Sequence, residues 1–140
     1  MQLSSEVKIT KVADHSTADT AAVTSAAVDM AGYEGVLFLT SFGSAAANNT
    51  LLASQDTASG GAYTDLLGTS VASGTSDEDV WIDIYRPLKR YVRVEAARGT
   101  SSTLESIWAI QYGGRKQPVD NTTSNTIIGE AHVSPAEGTA

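Results

Sequence analysis

Residues 79–114 read DVWIDIYRPLKRYVRVEAARGTSSTLESIWAIQYGG, a stretch that holds both tryptophans, three of the five tyrosines and most of the basic residues. Val80, Ile82 and Ile84 alternate with Trp81, Asp83 and Tyr85, the period of two that marks a strand with unlike faces. Tyr91 to Ala97 repeats the pattern, with Val92, Val94 and Ala96 set against Tyr91, Arg93 and Glu95. Between the two runs lie Arg86 to Arg90 with Pro87, a turn composition rather than a ladder one. A simple hairpin with Tyr85 opposite Tyr91 sets Ile84 beside Val92, Asp83 beside Arg93 and Ile82 beside Val94. That register gives one aliphatic face and one face that pairs acid with base. Glu105 to Tyr112 extends the alternation and predicts a third strand, with Trp108 and Ile110 on the aliphatic face. Trp81, Tyr85, Tyr91, Ile107 and Ala109 then fall on the other side of the meander. That face is too apolar for free exposure to water, so a second sheet or another chain is expected to cover part of it.

Outward from this centre the chain reads as short strands. Glu6 to Val12 is one, and Thr20 to Met30 another, its alternation and β-branched residues outweighing its alanines. Val36 to Phe42 (VLFLTSF) is continuously apolar, which predicts a strand covered on both faces and central in its sheet. A loop over residues 43–48 leads to Thr50 to Asp56, expected to close a hairpin with it. Tyr63 to Val71 fits a short strand or a helical turn, and residues 73–78 form a polar linker. About seven strands separated by Gly, Ser and Asn turns, with no convincing helix, predict an all-β, antiparallel β-sandwich over residues 1–114. Past Gly114 the periodicity fades. Residues 115–140 carry two prolines and few apolar residues, with Ile127, Ile128 and Val133 as short pieces, an extended arm that is either disordered or ordered across a neighbour.

Composition narrows the functions. The chain has 140 residues, enough to bury a core without staples. It contains no cysteine, which excludes disulfides and thiolate chemistry. Charged residues make up 18% and the formal net charge is −7; phosphate backbones require clustered cations, so a nucleic-acid partner is not expected. The one basic cluster is Arg86, Lys89, Arg90 and Arg93, with Arg98, Arg115 and Lys116 close in sequence. It reads either as a solvated turn with cross-strand ion pairs or as a patch that meets an acidic protein surface. No secretory leader follows Met1 and no apolar run has membrane-spanning length, so no membrane is expected.

Reactive constellations are missing from the sequence. His15 and His132 stand apart, one in a turn and one in the tail. Asp77, Glu78 and Asp79 form an acidic run that serves as a solvated linker or, less simply, as oxygen ligands for a hard cation; no EF-hand spacing accompanies it. Asp83 and Glu95 do not form a glycosidase pair in a register that faces Asp83 with Arg93. No G-x-S-x-G, phosphate loop or dinucleotide fingerprint occurs. The chain is read as a non-enzyme without cofactors.

Two segments resemble a known group. Arg86, Pro87 and Arg90 to Arg93, followed by Ala109 to Val119 (AIQYGGRKQPV) and the ending PAEGTA, are similar to small head proteins of tailed bacteriophages encoded beside the major capsid protein. The resemblance covers the C-terminal half. It implies a capsid decoration, or cement, protein: a jelly-roll-like sandwich, often a homotrimer, made in the host cytoplasm and bound to the capsid exterior, with the major capsid protein as partner. Arg86, Lys89 and Arg90 at the turn, the aromatic pair Trp81 and Tyr91, and Pro118, Ile127 and Ile128 in the arm are the expected contact residues. The alternative is a carbohydrate-binding sandwich, with Trp81, Tyr85 and Tyr91 as a stacking platform.

Overall fold

Alternating apolar residues need a second apolar layer, and the chain supplies it by folding two antiparallel sheets face to face. The computed structural model describes residues 2–43, 48–74, 77–99, 101–121 and 126–139. A single helical turn, α1 (Leu3–Glu6), precedes β1 (Lys8–Ala13), β2 (Ser16–Asp19), β3 (Val23–Thr24), β4 (Val28–Asp29), β5 (Gly35–Gly43) and β6 (Asn49–Asp56). Then come β7 (Thr64–Asp65), β8 (Val71–Ser73), β9 (Glu78–Tyr85), β10 (Tyr91–Ala97), β11 (Ser102–Leu104) and β12 (Ile107–Tyr112). The first sheet is built on β5, which pairs with β9 on one side and with β12 and β11 on the other; β1 lies beyond β12 and β2 beyond β11. The second is built on β6 and β10, with β3 and β4 against β10 and β7 and β8 against β6. The expected all-β sandwich is the fold.

Between the sheets lies one core. Val36, Phe38 and Phe42 of β5, Val80 and Ile82 of β9 and Ile107 and Ala109 of β12 meet Leu51 and Ala53 of β6 and Val92, Val94 and Ala96 of β10. Polar groups inside are satisfied. Ser25 Oγ accepts the Val94 N–H at 3.0 Å, and Asn49 Oδ1 accepts from Gly99 N–H and Ser102 Oγ at 3.1 and 3.0 Å. Arg98, 6% exposed, donates to the carbonyls of Ala21, Thr17 and Ser102 at 2.7, 2.7 and 3.0 Å, which ties the end of β10 in the second sheet to β2 and β11 in the first. It belongs to the interior and not to the basic cluster.

The meander over residues 79–112 does not form. β9 pairs with β5, Ile84 opposite Val36 and Ile82 opposite Phe38, while β10 pairs with β6 across the core. The basic turn is therefore the crossing from one sheet to the other, made where Arg86 takes a left-handed φ of 50° before Pro87 and its N–H donates to Glu34 O at 2.7 Å. Each strand buries the aliphatic side its alternation picks out, but alternation identifies a face and says nothing about the neighbour. For the same reason β5 and β6 face each other across the core instead of forming a hairpin. In β12 the assignment is inverted: Ile107 and Ala109 are buried in the core, and Trp108 and Ile110 point outward. The expected strand over 20–30 is two short pieces, β3 and β4, separated by the buried Ser25. Within the loop at 43–48, the linker at 73–78 and the arm, residues 44–47, 75–76 and 122–125 lie outside the described set.

The arm starts on its own domain. Val119 N–H donates to Ser5 O at 2.8 Å, and Lys8 Nζ donates to Asp120 O. Asn121 accepts the Ile9 N–H at 2.8 Å and donates to Ser4 O and Val7 O, each at 2.7 Å. From 128 to 139 the chain is exposed.

Candidate functional site

Antiparallel pairing places cross-strand partners on the same face, so the register of the first sheet defines its outer surface. Three rows run across the strands. One is Trp81, Leu39, Trp108 and Lys11; the next is Asp83, Leu37, Ile110 and Ile9; the third is Tyr85, Gly35 and Tyr112. Nearly all of these side chains are apolar or aromatic, and none belongs to the core. Trp81 is 60% exposed and Tyr85 57%, whereas an outer sheet face against water is ordinarily polar. The anticipated apolar face therefore exists, with a different membership: Trp108 and Tyr112 belong to it, and Ile107, Ala109 and Tyr91 do not.

Packing among these residues is specific. The ring of Tyr112 lies on Gly35, so close that a Cβ there would come within 2.2 Å of ring carbon Cζ; only glycine lets the ring lie flat on the strand. Tyr112 Oη donates to Asp83 Oδ1 at 2.6 Å. Burial, reinforced by this hydrogen bond to a carboxylate, pushes the Tyr112 phenol up to about 12. Asp83 is held by β12 through Tyr112 and not by Arg93, whose guanidinium instead lies 4.0 Å from the Tyr63 ring centroid on the other sheet.

The edges of this face differ. Next to β1 the arm runs beside it: Ile127 and the exposed Ile128 border a recess of about 480 Å³ with Ile9, Trp108 and Val119. On the opposite side no strand pairs with β9 among the described residues, although β8 lies close to it, and a groove of about 520 Å³ runs between Asp79–Ile84 and the wall formed by Gly68, Thr69 and Val71.

At one end of the sandwich the crossing turn gathers cations. Arg86, Lys89, Arg90 and Arg115 line a recess of about 620 Å³ with residues 30–34. They are not equivalent. Arg90 is engaged in a two-pronged pair with Asp29, at 2.9 and 2.8 Å, which holds the Asp29 carboxyl below the usual range and the guanidinium firmly charged. Arg86 is exposed, its guanidinium 5.1 Å from the centroid of the Tyr85 ring, so it extends the aromatic face into the basic end. The Lys89 N–H donates to Gln55 Oε1 at 3.2 Å, which fixes the turn to β6. Tyr91 lies on the outer surface of the second sheet, beneath Arg90. The sugar platform of Trp81, Tyr85 and Tyr91 is thus divided between two sheets. Pro118 follows a cis peptide bond and is exposed, outside the cationic recess.

The other candidates find local uses. Glu78 Oε2 accepts from Ser73 Oγ and Gly74 N–H at 2.9 and 2.8 Å, which shapes the approach to β9. His15 lies beside Glu105 and His132 beside Glu130. Among the described residues no group of three or more His, Asp or Glu converges in a way that would hold a metal.

Neither a protein-family model nor a curated protein matches the sequence. In structure the chain is similar to the PBSX exported protein XepA, with a TM-score of 0.55 over 96% of this chain at 17% identity. The chain spans 45% of that protein's length, and at this identity the similarity is one of fold.

Trp108, Tyr112, Leu37, Leu39 and Ile110 were not singled out by the sequence as contact residues. One signal pointed to them: if Ile107, Ala109 and Gln111 are taken as the inward set of β12, the alternate residues Trp108, Ile110 and Tyr112 must face out.

Proposed function

We propose that this is a non-enzymatic structural protein of a phage virion that binds the outer surface of the capsid through the outer face of its first sheet and bridges neighbouring capsomers. The observation that carries the reading is the four-aromatic face of Trp81, Tyr85, Trp108 and Tyr112 over Leu37 and Leu39, extended by Arg86 at one end. A sandwich that needed only water around it would gain nothing from this surface. Covering the exposed part of Trp81 alone, on the order of 100 Å², is worth about 2.5 kcal/mol at about 25 cal/mol per Å². The coarse part of the reading, a phage setting, has support from the fold similarity to a phage-encoded protein and from the resemblance in residues 86–93 and 109–119. Attachment of many copies would stabilise a shell under internal pressure, because each bridging contact raises the effective concentration of the next.

The test is rebinding. Purified protein mixed with capsids that lack it should co-sediment and raise the temperature at which the shells open. Trp81→Ala and Trp108→Ala should each weaken binding by at least about tenfold, while Tyr91→Ala on the second sheet leaves it within about twofold. Wild-type protein that neither rebinds nor protects the shells refutes the proposal.

One observation favours a second reading. Trp81 and Tyr85, both more than half exposed, flank Asp83 on one strand face, an arrangement of stacking rings beside a hydrogen-bonding carboxylate that suits a sugar. Quenching of tryptophan fluorescence by a glycan, lost in Trp81→Ala, would support it, and silence across a glycan array removes it.

A further inference from the structure

β9 is the long outer edge of the first sheet. Its eight residues pair with β5 in unbroken register from Tyr85 to Glu78, and among the described residues nothing pairs with its other side. Every second residue of such an edge directs its N–H and C=O outward, ready to accept another strand. Edges that must stay single are ordinarily short, bulged, interrupted by proline or lysine, or covered. The other edges of this sandwich follow that rule. β3, β4 and β7 have two residues each, β8 three and β2 four, with an irregular register against β11; β1 has a bulge between Lys11 and Ala13, and Asn121 of the arm accepts its Ile9 N–H. β9 is neither short, bulged nor interrupted; β8 lies against it and Glu78 accepts from Ser73 and Gly74, but from Asp79 to Tyr85 no strand other than β5 pairs with it among the described residues. It contains no lysine, proline or glycine, and its acids stand on the sheet faces rather than in the plane of the edge.

We infer that β9 pairs with β9 of a second copy of this chain, antiparallel and about a two-fold axis at Ile82. Charge and register together select this occupant. The strand is polarised, with Asp77, Glu78 and Asp79 at its start and Arg86 just past its end, so antiparallel pairing with itself lays the acidic end of each copy on the basic end of the other. Core-facing residues must oppose core-facing ones, which leaves only registers centred on a residue. Centring on Trp81 sets Asp79 opposite Asp83 of the second copy, and centring on Asp83 sets that carboxylate against its own copy. With Ile82 on the axis, Asp79 opposes Tyr85, Val80 opposes Ile84 and Trp81 opposes Asp83, each in duplicate. Glu78 then comes opposite Arg86, and Asp79 beside the guanidinium that lies over the Tyr85 ring. No acid opposes an acid. The groove beside Asp79–Ile84 gives the entering strand its space. The product is one continuous sheet whose two aromatic faces form a single surface, and because the contact is isologous it builds dimers or even-numbered assemblies.

The experiment uses the full chain without particles, so it stands or falls separately from capsid attachment. Light scattering across micromolar to millimolar concentration should give a mass of twice 14.5 kDa, and hydrogen exchange at the amides of residues 80–85 should slow as concentration rises. Arg86→Asp should weaken the dimer at least about tenfold, and the swap Glu78→Lys with Arg86→Asp should bring it back to within about threefold of wild type. Recovery in the swap excludes misfolding as the cause of the single-variant loss. A monomer at all concentrations, a trimer, or a dimer whose β9 amides exchange at a rate independent of concentration overturns the inference.

Discussion

The two sheets have the same strand chemistry on their inner faces and opposite chemistry on their outer ones. Across β6 and β10 the outward rungs are Asp56 with Tyr91, Ser54 with Arg93 and Leu52 with Glu95, and Asp29 and Thr24 continue them onto β4 and β3. Arg93 covers the Tyr63 ring, and Arg90 clasps Asp29. That face is finished against water. Across β9, β5 and β12 the rungs are Trp81, Leu39 and Trp108, then Asp83, Leu37 and Ile110, then Tyr85, Gly35 and Tyr112. Exposed apolar surface of this kind is costly in water. The proposed function uses this difference: contact on the first sheet, with the second holding it flat.

If the second sheet supports the first, both must unfold together, and Arg98 is the point at which to break them apart. Its guanidinium is buried and spends its donors on carbonyls of Thr17, Ala21 and Ser102. Arg98→Met leaves those acceptors without a charged donor, and hydrogen bonds to charged groups are worth about 1.5–3 kcal/mol each. A loss of at least about 3 kcal/mol is expected, read as a lower urea midpoint with an unchanged slope, in a single transition by both tryptophan fluorescence and far-UV circular dichroism. Two separated transitions would show that the sheets are independent and that the second does not support the first.

Gly35→Ala sharpens the contrast from within the first sheet. The added methyl collides with the Tyr112 ring, so the ring must leave the strand and give up its bond to Asp83. The expected cost is about 1–3 kcal/mol, with Trp81 and Trp108 more accessible to acrylamide. Thr24→Ala, exposed on the outer row of the second sheet, should change neither readout; an equal cost there would mean that the two faces are packed alike.

Tyrosine titration compares the faces directly. Burial raises both Tyr112 on the first sheet and Tyr63 on the second, but Tyr112 reaches about 12 because Asp83 reinforces the shift, while Arg93 acts against it at Tyr63. A phenol whose folded value is raised keeps its proton while the unfolded chain, with a value near 10, loses it. Stability therefore falls between pH 10 and about 12 and is insensitive to this group below pH 10. Absorbance at about 295 nm should show one late phenol; Asp83→Asn should bring it down, and Arg93→Ala should move Tyr63 up. A late phenol that persists in Asp83→Asn would assign it to a different ring.

Much of this was legible. The alternations over 80–84 and 92–96 identify the buried faces of β9 and β10, and the unbroken apolar run 36–42 marks β5 as central, as it is. Strand partners were not legible. A five-residue link containing Pro87 closes a hairpin or crosses between sheets equally well, and the left-handed Arg86 that decides the matter leaves no trace in composition. The face of β12 was misread because Trp108 and Ile110 are more hydrophobic than Ala109 and Gln111. The core selected the smaller residues for fit, and the larger ones were left for the outer surface. Of the expected contact residues, Trp81 and Arg86 lie on or beside that face, Ile127 and Ile128 near its β1 edge, and Tyr91 on the second sheet.

The smallest effect concerns the clasp that closes the water-facing sheet. Asp29 pairs with Arg90 by two hydrogen bonds, which lower its carboxyl, but both side chains are about half exposed, 44% and 56%, so solvent and salt screen the pair and its worth is about 0.2–1 kcal/mol. Because the folded value is lowered, this contribution is present above the unfolded carboxylate value of about 4 and disappears as pH falls through the folded value. Arg90→Ala should therefore reduce stability slightly at pH 7 and not at all at pH 2, with the difference shrinking in about 0.5 M salt. It should leave capsid attachment intact, since Arg90 turns toward β4 and the second sheet. Arg86, which continues the aromatic row, should behave in the opposite way, costing attachment with little change in stability. If Arg90→Ala abolished attachment while Arg86→Ala did not, the functional surface would be the basic recess and the outer face of the second sheet, and the contrast between the two faces would have to be reversed.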